Sequence, residues 1–313
     1  MGLILTPPLR KVRYLNRSKS PFNALYSVKS CSMKTPKRIL PLVEHGLVDE
    51  VISRLMSGKE ADVYVVRCGA EIRCAKVYKE AINRSFKQAV LYQEGRKGRN
   101  SRRARAMEKG SKFGRQQQEI TWQTAEVDAL YRLANAGVRV PQPYNCLDGV
   151  LLMELITDAE GDVAPRLGDI TMDIKQALAD HALIMQYIVL MLCDGLIHGD
   201  LSEFNVLVDE HGPVIIDLPQ AVDAAGNNNA ESMLTRDVNN MRRYYGRFAP
   251  ELLDTQYAKE IWALYESGTL QTDSTLKGKF EENLQDVDVN EIEEVIEAAR
   301  TEEIERQERL LEE

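Results

Sequence analysis

The sequence predicts an α+β fold of two lobes, a strand-rich N-terminal one and a mainly helical C-terminal one, with a cleft between them. Three observations carry this. The segments 61-ADVYVVRC-68 and 70-AEIRCAKVYK-79 read as two strands of a hairpin joined at Gly69. Apolar residues recur at helical spacing from Glu119 to Ala136, with Gly137 placed to stop the helix. Beyond residue 170, long helical patterns dominate and the strand-like runs are short.

Along the chain, residues 1–38 hold nine Lys or Arg and no acid, with no sustained hydrophobic period, and are expected to be a basic disordered tail. Leu42 to Met56 has Leu42, Val43, Leu47, Val48, Val51, Ile52 and Leu55 at the spacing of an amphipathic helix. The N-terminal lobe is drawn over 39–155, and within it 94-EGRKGRNSRRARAMEKGSKFGR-115, basic and holding four glycines, is expected to be a mobile surface loop. The run 150-VLLMELI-156 reads as a buried strand. The helical lobe covers 156–275: a polar connector to Gly168, a long helix over 171–194 closed by Gly195, and two short strands, 204-FNVLVD-209 and 213-PVIID-217, about a turn at Glu210-His211-Gly212. Asp237 to Leu270 reads as helical throughout, and 276–313 as an acidic, helical tail.

The formal net charge of −8 is unevenly spread. Glu281 to Glu313 carries 14 acidic and three basic residues, which leaves 1–280 at +3, so an acidic appendage follows a mildly basic body. No run reaches about eighteen uninterrupted apolar residues, so no membrane partner is expected. Five cysteines, odd in number and without a CxxC pair, fit neither a disulfide framework nor a zinc knuckle and suit a reducing cytoplasm.

The chemistry concentrates in 196-LIHGDLSEFNVLVDEHGPVIIDLPQ-220. Phosphoryl transfer from a nucleotide needs a cover over the phosphates, a cation on them, oxygen ligands for Mg²⁺ and a carboxylate beside the acceptor hydroxyl. Asp200 and Asn205 are five apart, and Asp217 follows Asn205 by twelve at the end of an apolar strand. That spacing suits an acceptor-side carboxylate followed by two hard oxygen ligands for a metal. His198 is assigned to bracing the loop. A polar hairpin with no chemistry is the alternative.

Lys76 lies in the strand 72-IRCAKVY-78, and Glu126, one helical turn from both Trp122 and Leu130, is the preferred carboxylate partner, with Glu119 the rival. A solvated strand lysine is the competing reading. The stretch 56-MSGKEADVY-64 offers Ser57 and the backbone at Gly58 as a phosphate cover, although with one glycine it is neither GxGxxG nor a P-loop. His45, His181 and His211 lack metal-ligand spacing and are read as ordinary. Clustered Arg and Lys in 94–115 would suit RNA phosphates or equally a solvated loop.

These residues carry a resemblance. The sequence resembles the RIO atypical serine/threonine protein kinases, in their Rio-one-like branch, as a bacterial member. The matching pieces are 57-SGKEADVY-64, 75-AKVYK-79, 121-TWQTAEVDALYRLANAGVRVPQP-143, 198-HGDLSEFNVLV-208, 216-IDLPQAVD-223 and 236-RDVNN-240, within residues 41 to 250. The resemblance implies a two-lobed, protein-kinase-like fold without an activation loop, and ATP with Mg²⁺ (or Mn²⁺) as cofactors. It places ATP-phosphate contacts at Ser57, Gly58 and Lys76, with Glu126 anchoring the lysine. Gatekeeper and hinge fall at Met153, Glu154 and Ile156, the catalytic aspartate at Asp200, and metal ligands at Asn205 and Asp217. Asp237 braces the catalytic loop.

The resemblance likewise implies a protein substrate and, as an alternative main activity, ATP hydrolysis acting as a switch in ribosomal small-subunit maturation; the charge of 94–115 would suit contact with that subunit or RNA. Two positions depart from familiar patterns: Ser202 stands where ordinary serine/threonine kinases carry a lysine, and Pro219 where many RIO proteins have Ser. Small-molecule phosphotransferases share HGDxxxxN and a later IDxx, but SGKEADVY and ID-x-x-Q favour the RIO pattern. A nucleotide-stabilised scaffold without catalysis is the third reading, and retention of Lys76, Asp200, Asn205 and Asp217 counts against it.

Overall fold

The computed structural model describes residues 33–79 and 125–280, together with the backbone of Arg13 and Tyr14. The chain divides into two units, 1–278 and 279–313, and of the second only Lys279 and Phe280 are among the described residues. In chain order the first unit holds β1 (Arg13–Tyr14), α1 (Leu40–Glu44), β2 (Glu50–Ser57), β3 (Ala61–Cys68) and β4 (Glu71–Tyr78). Then come helix α2, described over 125–135, β5 (Pro143–Leu147) and β6 (Val150–Glu154). The helical lobe runs through β7 (Ile170–Thr171), α3 (Ile174–Cys193), β8 (Leu196–Ile197), β9 (Val206–Val208), β10 (Pro213–Ile215), β11 (Val222–Asp223), α4 (Ala230–Tyr245) and α5 (Tyr257–Glu266).

Five strands form one antiparallel sheet in the order β2-β3-β4-β6-β5. Its middle strand, β4, is covered on both faces, and the period-two alternation of a strand sorts its side chains. Ala75 and Val77, with Val150 and Leu152 of β6, face the cluster built by Ile39, Leu42, Val48 and Val51. Tyr78 and Leu151 face the opposite way, into the large core shared with α2 and the helical lobe. Lys76 alternates with Ala75 and Val77, so the fold sends its ammonium towards the helical lobe. Register sets it opposite Val63 of β3 and Leu151 of β6.

The helical lobe is organised on α3, whose buried residues include Ala177, Ile184, Met185, Ile188, Val189 and Leu192. By length and composition α3 could cross a membrane, yet half of its apolar window is buried against protein, as in a core helix. Gly195, in the left-handed region at φ +76°, ends α3 and turns the chain into β8, which pairs with β11. That pairing carries the chain directly into His198.

Two expectations fail. Leu42 to Met56 is not one helix: α1 is five residues long, Gly46 at φ +70° breaks the chain after it, and Glu50–Ser57 is an edge strand on β3. The apolar spacing fits two short elements as well as one helix, and sheet pairing of the β-branched Val51 and Ile52 outweighs local helix preference. Nor is Asp237 to Leu270 continuous. Helix α4 begins seven residues earlier, at Ala230, and ends at Tyr245. A 3-10 turn at Pro250–Asp254 precedes α5. Pro250 cannot supply a helical N–H, and Leu253 packs so closely on Gly246 that a Cβ there would clash with its side chain.

One ion cluster ties the sheet to the helical lobe. Arg139, between α2 and β5, donates twice to Glu154 at the end of β6, both at 2.8 Å, and to Asp209 after β9 at 3.1 Å. Its backbone carbonyl accepts from Ile215 N–H at 2.9 Å. Asp209 is buried at 3% exposure, so losing the guanidinium leaves its charge poorly matched. Arg139→Met is expected to lower the unfolding free energy by about 2–3 kcal/mol in urea titration. Arg139→Lys should recover less than half, because an ammonium cannot pair bidentately. An unchanged midpoint would show that the tie carries no stability.

Candidate active site

Lys76 and Glu126 meet as the sequence reading expects. Lys76, 9% exposed, donates to Glu126 Oε1 at 2.5 Å and to Asp217 Oδ1 at 3.0 Å. Glu126 is 3% exposed, and its second oxygen accepts from Tyr78 Oη at 2.7 Å. Burial disfavours the charged lysine, but the adjoining carboxylates of Glu126 and Asp217 outweigh it and raise its pKa. Burial likewise opposes ionisation of Asp217, whose pKa is nonetheless lowered by Lys76, with His198 and Arg166 adding to the effect. Burial and the neighbouring Glu126 charge push Tyr78 up, so its hydroxyl stays a donor. The rival partner Glu119 and the basic segment 94–115 lie outside the described residues.

Residues 198–205 form a second network. Asp237, from the middle of α4, is 1% exposed and accepts from the N–H groups of Gly199 at 2.8 Å and Leu201 at 2.9 Å. Burial pushes its pKa up to about 6, against the pull of His198 and those two N–H groups. Asn240, one turn further along α4, donates to Leu201 O at 2.9 Å. His198 Nδ1 accepts from Asp200 N–H at 3.3 Å, which leaves Nε2 to donate to Ile216 O at 3.1 Å. Asn205 Nδ2 donates to Asp200 O at 2.9 Å, and Asn205 O accepts from Ile216 N–H at 3.0 Å. The backbones before Asp217 and after Asp200 are therefore locked to one another.

Asp217 itself sits at φ +66°, left-handed backbone that a non-glycine residue adopts only under constraint, and its side chain is 47% exposed. Asn205 has its amide nitrogen committed, so its oxygen is the end left for a ligand. Asn205 and Asp217 offer hard oxygen donors, a set that suits Mg²⁺. Among the described residues no cluster of three or more His, Cys, Asp or Glu could hold a metal.

Ser57 and Gly58 close the β2–β3 turn. Lys79 Nζ donates to Ser57 Oγ at 3.2 Å and to Gly58 O at 2.7 Å, and pairs with Asp62 at 3.2 Å. Met153 and Glu154 end β6. The Glu154 carboxylate is engaged by Arg139, and Ile156, 3% exposed, accepts from Ala164 N–H at 2.9 Å. Ser57, Gly58, Met153 and Glu154 thus belong to the sheet, while Ile156 packs with Ala164 and Val214 beyond it.

Sequence reasoning missed Tyr78, Asn240, Arg139 and Arg166. Tyr78 had a signal, since it stands two residues from Lys76 on the same strand face. Arg166 donates to Met56 Sδ at 3.0 Å across the cleft, and nothing in its local sequence marks it.

Burying the Lys76 ammonium is tolerable because both neighbours are carboxylates. Glu126→Leu is expected to cost about 3 kcal/mol of stability, and adding Lys76→Met should recover most of that loss. The check is a double-mutant cycle by chemical unfolding. Additive losses would mean that the pair is not energetically coupled.

A family model described as the RIO domain matches residues 62–258. The RIO-type serine/threonine-protein kinase Rio1 of Haloferax volcanii is 32% identical over 213 residues, which cover 67% of this chain and 68% of that one. The serine/threonine-protein kinase rio1 of Schizosaccharomyces pombe is 30% identical over 223 residues, 68% of this chain and 42% of the relative. The chain thus spans about two thirds of the archaeal relative and less than half of the yeast one. Among solved structures, the Rio2 kinase from Chaetomium thermophilum aligns with 88% of this chain and 83% of its own at a TM-score of 0.52 and 21% identity, a likeness of fold. By the domain match over more than half of its length and the likeness to these relatives, the chain belongs to the RIO family of serine/threonine-protein kinases.

Proposed function

We propose that the chain binds ATP with Mg²⁺ or Mn²⁺ in the cleft between sheet and helical lobe and transfers the γ-phosphoryl group to a serine or threonine hydroxyl of a protein. The observation that carries this reading is the joining of the two networks. Lys76, held by Glu126, contacts Asp217, and Asp217 follows the residue whose backbone is bonded to both His198 and Asn205. A phosphate-binding cation, two oxygen ligands and an acceptor-side carboxylate are thereby fixed relative to one another.

On this reading Lys76 binds the α- and β-phosphates, while Asn205 and Asp217 hold the metal. Bound there, the ion would neutralise charge on the phosphate oxygens. Asp200 takes the acceptor hydroxyl proton as the new O–P bond forms and the bond from the γ-phosphorus to the β–γ bridging oxygen breaks, releasing ADP. Ser57 and Gly58 lie over the phosphates. The backbone of Met153, Glu154 and Ile156 reads the base.

The test uses the full chain, γ-labelled ATP, Mg²⁺ and a generic protein acceptor. Wild type should give acid-stable, hydroxylamine-resistant label on serine or threonine. Asp200→Asn and Asp217→Asn should each reduce its rate at least about 100-fold, with Asp200→Asn unfolding like wild type. Hydroxylamine-labile label on the chain itself would replace the kinase reading with ATP hydrolysis through an acyl phosphate. Undiminished labelling in both variants would overturn the assignment of the site.

A further inference from the structure

The carboxylates of the site differ in what they meet. Glu126 and Asp217 share the Lys76 ammonium, and Asp237 accepts two backbone N–H groups. Asp200 meets an uncharged amide: Gln220 Nε2 donates to its Oδ2 at 3.3 Å. The backbone of Asp200 is fixed on both sides, its N–H on His198 Nδ1 and its carbonyl under Asn205 Nδ2. Those bonds hold the main chain and leave the carboxylate free to rotate. Among the described residues, the bond that limits its rotation is the one from Gln220.

The placing of Gln220 follows from a turn. Ala221 N–H donates to Leu218 O at 3.0 Å, which makes Pro219 and Gln220 the two central residues of a β-turn. Proline suits the first of these positions because its φ is already near the value required there. The departure at residue 219 thus stiffens the loop. Both ends of the turn are anchored, Leu218 at 1% and Ala221 at 4% exposure in the large core. Directly beyond, Val222 of β11 pairs with Ile197 of β8, the residue before His198. One strand pair therefore carries both the turn that presents Gln220 and the loop that presents Asp200.

We propose that Gln220 is a positioning residue for phosphoryl transfer, its amide holding Oδ2 of Asp200 so that Oδ1 faces the acceptor hydroxyl. This rests on Asp200 being the group that receives the acceptor proton. An amide suits the task because it orients the carboxylate without adding positive charge beside a group that must take up a proton. It stands, moreover, in a site where Ser202 supplies no lysine.

The experiment compares wild type, Gln220→Ala, Gln220→Glu and Asp200→Asn in Mg-ATP-dependent labelling of a protein acceptor across pH, with a thermal melt of each. Gln220→Ala is expected to lower kcat roughly 10- to 100-fold with KM for ATP changed by less than about twofold, since a misdirected group costs rate more than binding. Gln220→Glu replaces the amide donor by a second carboxylate, and should move the acid limb of the kcat–pH profile to higher pH. Unchanged kcat in Gln220→Ala, or a Gln220→Glu profile that overlays wild type, would overturn the proposal. So would a kcat loss matched by an equal loss of ATP affinity or by a collapsed melt. Full activity in Asp200→Asn would instead remove the underlying reading of Asp200, and the role of Gln220 with it.

Discussion

One buried ammonium holds the site together. Lys76 is tied to Glu126, 50 residues away, and to Asp217, 141 residues away. It therefore joins the middle strand of the sheet, helix α2 and the segment after β10. Each charge buried in this way carries a desolvation cost of several kcal/mol, recovered only when the geometry is close and the remaining polar atoms are satisfied. Glu126 meets that condition, with one oxygen on Lys76 and the other on Tyr78. Asp217 meets it differently, since half of its side chain is exposed to the cleft. The asymmetry has a functional sense: the fully buried partner fixes the lysine, and the exposed partner is the one able to turn to another cation.

The loop 198–205 is held by another kind of force. Its backbone hangs from Asp237 and Asn240 below and is stitched to the strand beyond by His198 and Asn205. These are short-range, directional bonds, and they set position more than stability. Ion pairing draws the lobes to one centre, and hydrogen bonding then sets where each oxygen points. Arg139 adds a third tie near the end of β6, outside the chemistry, so that sheet and helical lobe keep their spacing even where the ammonium does not reach.

Much of this was legible in the sequence, for a physical reason. The five-residue step from Asp200 to Asn205 and the run Ile215-Ile216-Asp217 are local patterns, and the strand alternation around Lys76 is equally local. The choice of Glu126 over Glu119 followed from its place one helical turn from Trp122 and Leu130. Failure came where a pattern was degenerate or a contact was long-range. The apolar spacing of 42–56 fits a helix, yet a partner strand captured half of it. Arg139 and Asn240 act through residues distant in sequence, and their neighbours give no hint. Gln220 was visible only as a motif letter, and its role emerges from a turn that aims it at Asp200.

Lys76 is a buried, doubly paired ammonium. Titration of its ¹⁵Nζ resonance by NMR tests this most directly, with assignment through Lys76→Arg. The structure predicts an ammonium that persists above the ordinary lysine value of 10.5, and a rise in its mobility on loss of either Glu126 or Asp217. A lysine that deprotonates at or below that value would contradict it, because burial without two carboxylate partners lowers the pKa.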